Sequence, residues 1–130
     1  MVLVLSTAGE VQSVVEVAVA PMADHGFSEH DIFGMRLALE EAIVNSLKHG
    51  NKNAPDKKVV VRTEYNCQEV MVEVRDEGEG FDPASVPDPR AEENLGKDSG
   101  RGLLLMRFYT TWMQYNRVGN AVTLCKRKSP

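Results

Sequence analysis

A carboxylate followed by two spaced glycines stands directly after an apolar stretch of the sequence. Residues 70–74 are predicted to form a strand, and Asp76-Glu77-Gly78-Glu79-Gly80 comes at its end. An ionised aspartate only accepts hydrogen bonds, so Asp76 suits the amino group of a ligand. Gly78 and Gly80 permit positive backbone φ angles and the close approach of a flat ligand. Taken alone, the segment is more typical of a hairpin turn with surface carboxylates, and two further motifs change that interpretation.

The second motif lies upstream, in a stretch that is predicted to be helical. Glu41 and Asn45 are four residues apart, so on a helix they share one face. Mg²⁺ takes few protein oxygen ligands beside water and phosphate oxygens, and the Asn45 amide oxygen fits that preference. Glu41, one turn earlier, can take the proton of an attacking hydroxyl or water. Glu40 points about 100° away around the helix and is not expected to take part.

The third motif is Gly100-Arg101-Gly102, which precedes an apolar run that starts at Leu103. A glycine turn that opens a helix is predicted here, and the bare N–H groups of a helix N-terminus bind anions. The backbone of this turn is therefore expected to hold phosphates. Arg101 either adds a charge-assisted contact or is an exposed cation at the start of the helix. Lys48 and Arg90 are weaker candidates for contacts with phosphate.

In this order, the three motifs resemble the Bergerat ATP-binding fold of gyrase, the heat-shock chaperone, histidine kinases and mismatch-repair ATPases. The pattern Glu-Ala-x-x-Asn-x-x-x-His-Gly at residues 41–50 is most similar to the anti-sigma factor serine/threonine kinases. So is Asp-x-Gly-x-Gly-Phe-Asp-Pro at residues 76–83. The resemblance covers nearly the whole chain, and it implies ATP and Mg²⁺ as cofactors.

The resemblance also implies roles for single residues. Glu41 is expected to be the general base, Asn45 the metal ligand, and Asp76 the acceptor for the adenine amino group. The other residues expected to bind the cofactor are Lys48, Gly78, Gly80, Phe81, Gly100, Arg101, Gly102 and Leu103.

Two positions depart from the pattern of the resembled family, and a third, His49, follows it. The family often has Thr near the adenine where this chain has Asn120, and this puts one adenine contact in doubt. It often has Asp after the third helix where this chain has Thr111, which affects helix capping or a partner surface. His49 recurs in the family motif, and a structural hydrogen bond is expected for it.

The segments before the loop at residues 51–57 position the Glu41 motif. Residues 2–5 are predicted to be an edge strand. A helix capped by Ser6 or Thr7 follows, which Pro21 kinks or shortens and Gly26 ends. Its expected buried positions are Val11, Val14, Val15, Ala18 and Val19. A longer helix runs from an N-cap at Ser28 to Gly50, with a buried stripe of Ile32, Met35, Leu39, Ala42, Ile43 and Ser46.

The remaining segments complete an α+β fold. Strands at 58–65 and 70–76 form a hairpin, and residues 82–99 read as a lid over the nucleotide. A third helix is predicted from Gly102 to about Tyr109, followed by two more strands at 112–116 and 121–126. The prediction is a two-layer α/β sandwich, in which three helices cover one face of a mixed, mostly antiparallel sheet of four or five strands. Residues 1–130 are expected to be a single domain.

Composition excludes several classes of protein. The 130 residues carry a net charge of −4, which argues against nucleic acid as a direct partner. No apolar run approaches the ~20 residues of a membrane helix, and no signal peptide is visible. We therefore expect a cytoplasmic protein without membrane contact. Cys67 and Cys125 are expected to be free thiols.

The function favoured by the sequence is an anti-sigma factor kinase. The resemblance implies that it sequesters a sigma factor and phosphorylates an anti-anti-sigma antagonist protein, and that it forms a homodimer. Two alternatives stay open: a non-catalytic ATP-binding regulatory module, and the ATP-binding domain of a histidine kinase. Histidine kinases generally lack a glutamate at the position of Glu41, so this residue favours transfer to a hydroxyl, or hydrolysis.

Overall fold

The computed structural model describes residues 1–80 and 98–129. Phe81, Arg90 and nearly all of the predicted lid lie outside the described residues, as does the side chain of Arg101. Within the described part, every helix is too short or too polar to cross a bilayer.

Five antiparallel strands form one sheet in the order β1-β2-β3-β5-β4. The strands are β1 (Val2–Leu5), β2 (Val59–Tyr65), β3 (Glu69–Arg75), β4 (Trp112–Tyr115) and β5 (Ala121–Arg127). The predicted strands are all present, and β1 lies at an edge as expected. No parallel pair occurs among the described strands, so the sheet is antiparallel rather than mixed.

Four helices occur in the described residues: α1 (Val11–Val19), α2 (Pro21–Asp24), α3 (Glu29–Asn45) and α4 (Asp98–Tyr109). The first predicted helix is divided at Pro21, because proline cannot donate the backbone hydrogen bond that would continue α1. The Glu10 carboxylate accepts hydrogen bonds from the backbone N–H groups of Ser6 and Thr7, each at 3.1 Å, which fixes the entry to α1. The two-layer α+β prediction is confirmed.

Helix α3 is the central element of the helical layer. The Ser28 hydroxyl accepts a hydrogen bond from Asp31 N–H at 3.1 Å, which confirms the predicted N-cap. The predicted stripe is buried except at Ile32, which is only partly covered. The helical backbone does not end at Asn45 but continues as a π-helical turn over Ser46–Gly50. This change of helix type was not predicted.

Helix α4 begins at Asp98, four residues before the predicted start at Gly102. Gly100 and Gly102 therefore lie within the helix and not in a turn that precedes it. Helices α3 and α4 pack closely against each other. A Cβ atom built on Gly34 would lie only 2.8 Å from the Tyr109 ring, so the small residue in α3 lets the two helices approach.

The core lies between the sheet and the helices. It joins the inward side chains of β2, β3 and β5 to the buried faces of α1 and α3, and includes Val61, Val72, Leu124, Val15 and Leu39. Cys67 is exposed, Cys125 is buried, and both are free thiols as predicted.

One charged residue of α3 is buried against the end of the described chain. Asp31 is 1% exposed, and its carboxylate accepts hydrogen bonds from Ser129 N–H at 3.0 Å and Ser129 Oγ at 2.6 Å. Burial opposes ionisation, but these bonds and the nearby Lys126 ammonium outweigh it, so the pKa of Asp31 lies below its ordinary value. The ionised carboxylate therefore holds the segment after β5 against the start of α3.

We predict that Asp31→Asn lowers the free energy of unfolding at pH 7 by about 2 kcal/mol, because charged hydrogen bonds are lost. A lowered folded-state pKa means that the stabilisation is complete above the ordinary value of 3.8 and disappears as the pH falls through the folded-state pKa. Urea unfolding of the wild-type protein and the variant gives their free energies of unfolding at pH 7, where the stabilisation is complete, and at about pH 2, where it is reduced. The exposed Asp24→Asn is the control, and an equal loss at both pH values would contradict the prediction.

Candidate functional site

A cavity of about 460 Å³ opens between the C-terminal end of α3, the turn after β3 and the turn between β4 and β5. This is within the range of ~300–1,000 Å³ that is usual for small-molecule sites. Five residues predicted to bind the nucleotide line it, namely Asn45, Asp76, Gly78, Gly80 and Leu103. Sequence motifs separated by tens of residues therefore meet at one cavity.

Asp76 lies on the wall of this cavity and is 8% exposed. Its Oδ1 atom accepts a hydrogen bond from Gly78 N–H at 2.8 Å, and its own N–H donates to the Asn120 carbonyl at 2.9 Å. The Ser46 hydroxyl of the π-helical turn faces the carboxylate and lowers its pKa. The carboxylate is thus held in place by its own turn, while it still lines the cavity.

The environment of Asp76 has opposing effects on its ionisation. Burial raises the pKa of the carboxyl group above its ordinary value. The hydrogen bonds from Gly78 and Ser46, and the positive charges of Arg75 and Lys57, act in the opposite direction. A partly desolvated carboxylate of this kind gains from a hydrogen-bond donor on a ligand, because its remaining acceptor capacity is otherwise unmet.

Glycine backbones form the surroundings of this carboxylate. A Cβ atom on Gly50 would overlap the Asp76 carboxylate, and one on Gly78 would overlap the Gly50 carbonyl. Gly80 has a φ of +79° and touches the Val118 carbonyl, so it also has no room for a side chain. Close contacts thus require glycine at 78 and 80, as predicted, and they require glycine at 50 as well. The sequence suggested Gly50 only as a helix stop.

Glu41 and Asn45 meet at a single point on α4. A Cβ atom on Gly102 would lie 2.9 Å from Glu41 Oε2 and 3.1 Å from Asn45 Nδ2. The glycine therefore leaves space that both side chains use. The pair lies on one face of α3 as predicted, and Asn45 also lines the cavity. A carboxylate and an amide are thus placed side by side at the edge of a cavity whose wall holds Asp76.

Two residues after Asn45 differ from their predicted roles. Lys48, a predicted phosphate contact, is exposed and is not among the residues that line the cavity. His49 lines the cavity and is exposed, and its side chain makes no hydrogen bond to another described residue, so the structural bond predicted for it is not found. Gly100 lies inside the first turns of α4, as described above.

Several cavity residues were missed by sequence reasoning. Lys52 and Lys57 contribute cations from the loop at 51–57, which gave no signal beyond its polarity. Tyr115 of β4 contributes an aromatic wall, and burial raises the pKa of its phenol to about 12, so it stays neutral. The alternation of β4 is the signal that could have placed Tyr115 on the inward face.

The two departures from the family pattern have structural roles. The Asn120 side chain accepts a hydrogen bond from Asn116 Nδ2 at 2.7 Å and belongs to the turn between β4 and β5. The Thr111 hydroxyl accepts a hydrogen bond from Arg127 N–H at 2.9 Å, so it joins the end of α4 to β5. Asn120 contacts the candidate site through its main-chain carbonyl, which accepts the hydrogen bond from Asp76 N–H.

Comparison with known proteins assigns the chain to a family. A model of the histidine kinase-like ATPase domain matches residues 4–126. The proteins named serine-protein kinase RsbW from Listeria innocua and Listeria monocytogenes are each 35% identical over an alignment of 89 residues, which covers 62% of this chain. That alignment covers 55% of each relative, so the chain spans about half the length of the curated relatives it matches. The chain belongs to the histidine kinase-like ATPase domain family.

Proposed function

We propose that this protein binds ATP with Mg²⁺ and transfers the γ-phosphoryl group to a serine or threonine hydroxyl of another protein. The observation that carries the proposal is the meeting of Glu41 and Asn45 at Gly102, beside the cavity walled by Asp76. The names of the relatives, serine-protein kinase, support the same reaction class.

The cavity fits the base of ATP. Asp76 presents acceptor atoms only, which suits the exocyclic amino group of adenine and not the oxygen at the same position of guanine. The glycine backbones at 50, 78 and 80 leave a surface without side chains against which a flat ring can lie. Leu103 and Val122 add apolar contact on the cavity wall.

The Glu41–Asn45 pair fits the metal and the reacting hydroxyl. The Asn45 amide would supply one oxygen ligand to a Mg²⁺ ion whose other ligands are water and phosphate oxygens. The bound ion would neutralise charge on the phosphates. A small number of protein ligands is usual for Mg²⁺ at nucleotide sites.

The role proposed for Glu41 is proton acceptance. The oxygen of the substrate hydroxyl would form a bond to the γ-phosphorus as the bond to the β-phosphate oxygen breaks and ADP leaves. The hydroxyl proton would pass to the Glu41 carboxylate. Rate acceleration would come mostly from holding the hydroxyl and the phosphoryl group in line.

The partners proposed follow the family resemblance. We propose that the protein sequesters a sigma factor and phosphorylates an anti-anti-sigma antagonist protein in the cytoplasm, that it forms a homodimer, and that it binds neither nucleic acid nor membrane. We further propose that residues 1–130 act as one domain, with residues 82–99 as the nucleotide lid.

The alternatives differ in what Glu41 must do. A non-catalytic binding module needs the nucleotide pocket but not a general base, and a histidine kinase domain transfers to a histidine of a separate helical segment. The position of Glu41 beside Asn45 favours a direct reaction with a hydroxyl.

We predict that Glu41→Gln lowers the rate of phosphoryl transfer by about 100- to 10,000-fold and leaves ATP affinity unchanged, because only proton acceptance is lost. Transfer from ATP labelled in the γ-phosphate to a purified anti-anti-sigma protein measures the rate. Glu40→Gln is the matched control, since Glu40 accepts from Gln12 Nε2 at 3.1 Å instead. Full transfer activity of Glu41→Gln would contradict the role of Glu41 as proton acceptor, and ATP binding without transfer by the wild-type protein would favour the non-catalytic module.

We predict that Asn45→Ala removes the part of ATP affinity that depends on Mg²⁺, because the amide ligand is lost. Calorimetric titration of ATP with Mg²⁺ and with a chelator gives both affinities for each protein. In the chelator, the variant and the wild-type protein are expected to bind equally, which serves as the internal control. An undiminished effect of Mg²⁺ on the variant would show that the ion has other ligands.

A further inference from the structure

A buried asparagine next to the cavity is used neither by the sequence motifs nor by the proposed reaction. Asn51 follows the π-helical turn and is only 1% exposed, although it belongs to a loop rich in polar residues. A buried amide costs free energy unless its donors and acceptor are satisfied. The hydrogen-bond partners of the Asn51 side chain therefore indicate its role.

Asn51 joins the π-helical turn, the residue before β2 and, 26 residues further along the chain, the turn after β3. Its N–H donates to the Ser46 carbonyl at 2.8 Å, at the end of α3. Its Nδ2 donates to the Lys58 carbonyl at 3.0 Å, just before β2. Its Oδ1 accepts from Glu77 N–H at 2.8 Å, in the turn after β3.

These partners fix the orientation of the amide. Glu77 N–H can only donate and the Lys58 carbonyl can only accept, so the oxygen and the nitrogen cannot be exchanged. The Glu77 carboxylate closes the network, because it accepts from Lys58 N–H at 2.5 Å. A side chain with an acceptor alone, or with neither group, would leave at least one of these bonds unmade.

The network ends at the base-recognition carboxylate. Glu77 lies between Asp76 and Gly78, and Gly78 N–H donates to Asp76 Oδ1 at 2.8 Å. Gly50, the residue before Asn51, packs its carbonyl against Gly78. On the other side, Asp76 N–H is held by the Asn120 carbonyl. The bond from Glu77 N–H to Asn51 is thus a side-chain link between the segment that follows α3 and the Asp76 turn, next to the backbone contact of Gly50 with Gly78.

We propose that Asn51 is a positioning residue for recognition of the nucleotide base. It aligns the turn at 76–78 so that the Asp76 carboxylate meets the amino group of adenine. The inference rests on the proposed binding of ATP. It predicts an effect on the choice of base, which a purely structural role would not produce.

The test compares ATP with ITP, which has an oxygen in place of the amino group. Both nucleotides carry the same charge, so general destabilisation or an added charge in the protein changes both affinities alike. The wild-type protein is expected to prefer ATP by about tenfold or more, because an oxygen facing Asp76 offers no donor. Asn51→Ala is expected to lower ATP affinity about tenfold and to leave ITP affinity nearly unchanged.

Two control variants distinguish a misplaced Asp76 turn from a general loss of stability of the fold. Asn53→Gly removes an exposed asparagine of the same loop at a φ of 58°, which glycine tolerates, and should keep the wild-type preference. Asp31→Asn weakens the fold at the opposite end of α3 and should also keep it. Asn51→Asp keeps the acceptor for Glu77 N–H but loses the donor to Lys58, so an intermediate preference is expected. This variant decides the question if Asn51→Ala does not fold.

The outcomes distinguish this inference from the proposed function. A wild-type protein that binds neither nucleotide, or both equally, would overturn the recognition of adenine by Asp76, and the inference with it. A wild-type preference for ATP that persists in Asn51→Ala and in Asn51→Asp would overturn the inference alone. Loss of the preference in Asn51→Ala and a reduced preference in Asn51→Asp, with no change in Asn53→Gly or Asp31→Asn, is the result we expect.

Discussion

The contact of backbone with backbone around a buried carboxylate is the constraint on which the cavity depends. Asp76 follows the central strand β3, and the backbones of Gly50 and Gly78 pack so closely against it that neither position has room for a Cβ atom. This contact brings the end of α3 to the end of β3.

A second close approach places the side chains of Glu41 and Asn45. Gly34 and Gly102 lie where α3 and α4 pack, and each leaves space for a neighbour: the Tyr109 ring at one end, and Glu41 with Asn45 at the other. Because α3 carries both the Glu41–Asn45 pair and the π-helical turn toward Asp76, one helix relates the two parts of the site. Its N-terminal end is held by the buried Asp31 and its bonds to Ser129.

Local signals in the sequence were sufficient for most elements. The cap at Ser28, the break at Pro21 and the alternation of β2 and β3 each depend on near neighbours, and each was predicted. The start of α4 at Asp98 was missed because glycine disfavours a helix, so that Gly100 and Gly102 predicted a turn instead.

Contacts between distant residues were not predictable in this way. The roles of Asn51, Ser46 and Asp31 arise from partners at Glu77, Asp76 and Ser129 that no local pattern indicates. Among the candidate site residues, Glu41, Asn45, Asp76, Gly78 and Gly102 were predicted from motif order, because the resemblance carried the long-range information. Lys52, Lys57 and Tyr115 belong to no such motif and became visible only through the cavity that they line.

The most direct test of the central claim, that the cavity binds ATP through Asp76, is calorimetric titration of ATP with Mg²⁺ into the wild-type protein and Asp76→Asn. Micromolar or tighter binding by the wild-type protein is predicted, with a loss of about tenfold or more in the variant. Unfolding curves of the two proteins verify that the variant is folded. Equal affinity of both proteins, or no binding by the wild-type protein, would contradict the claim.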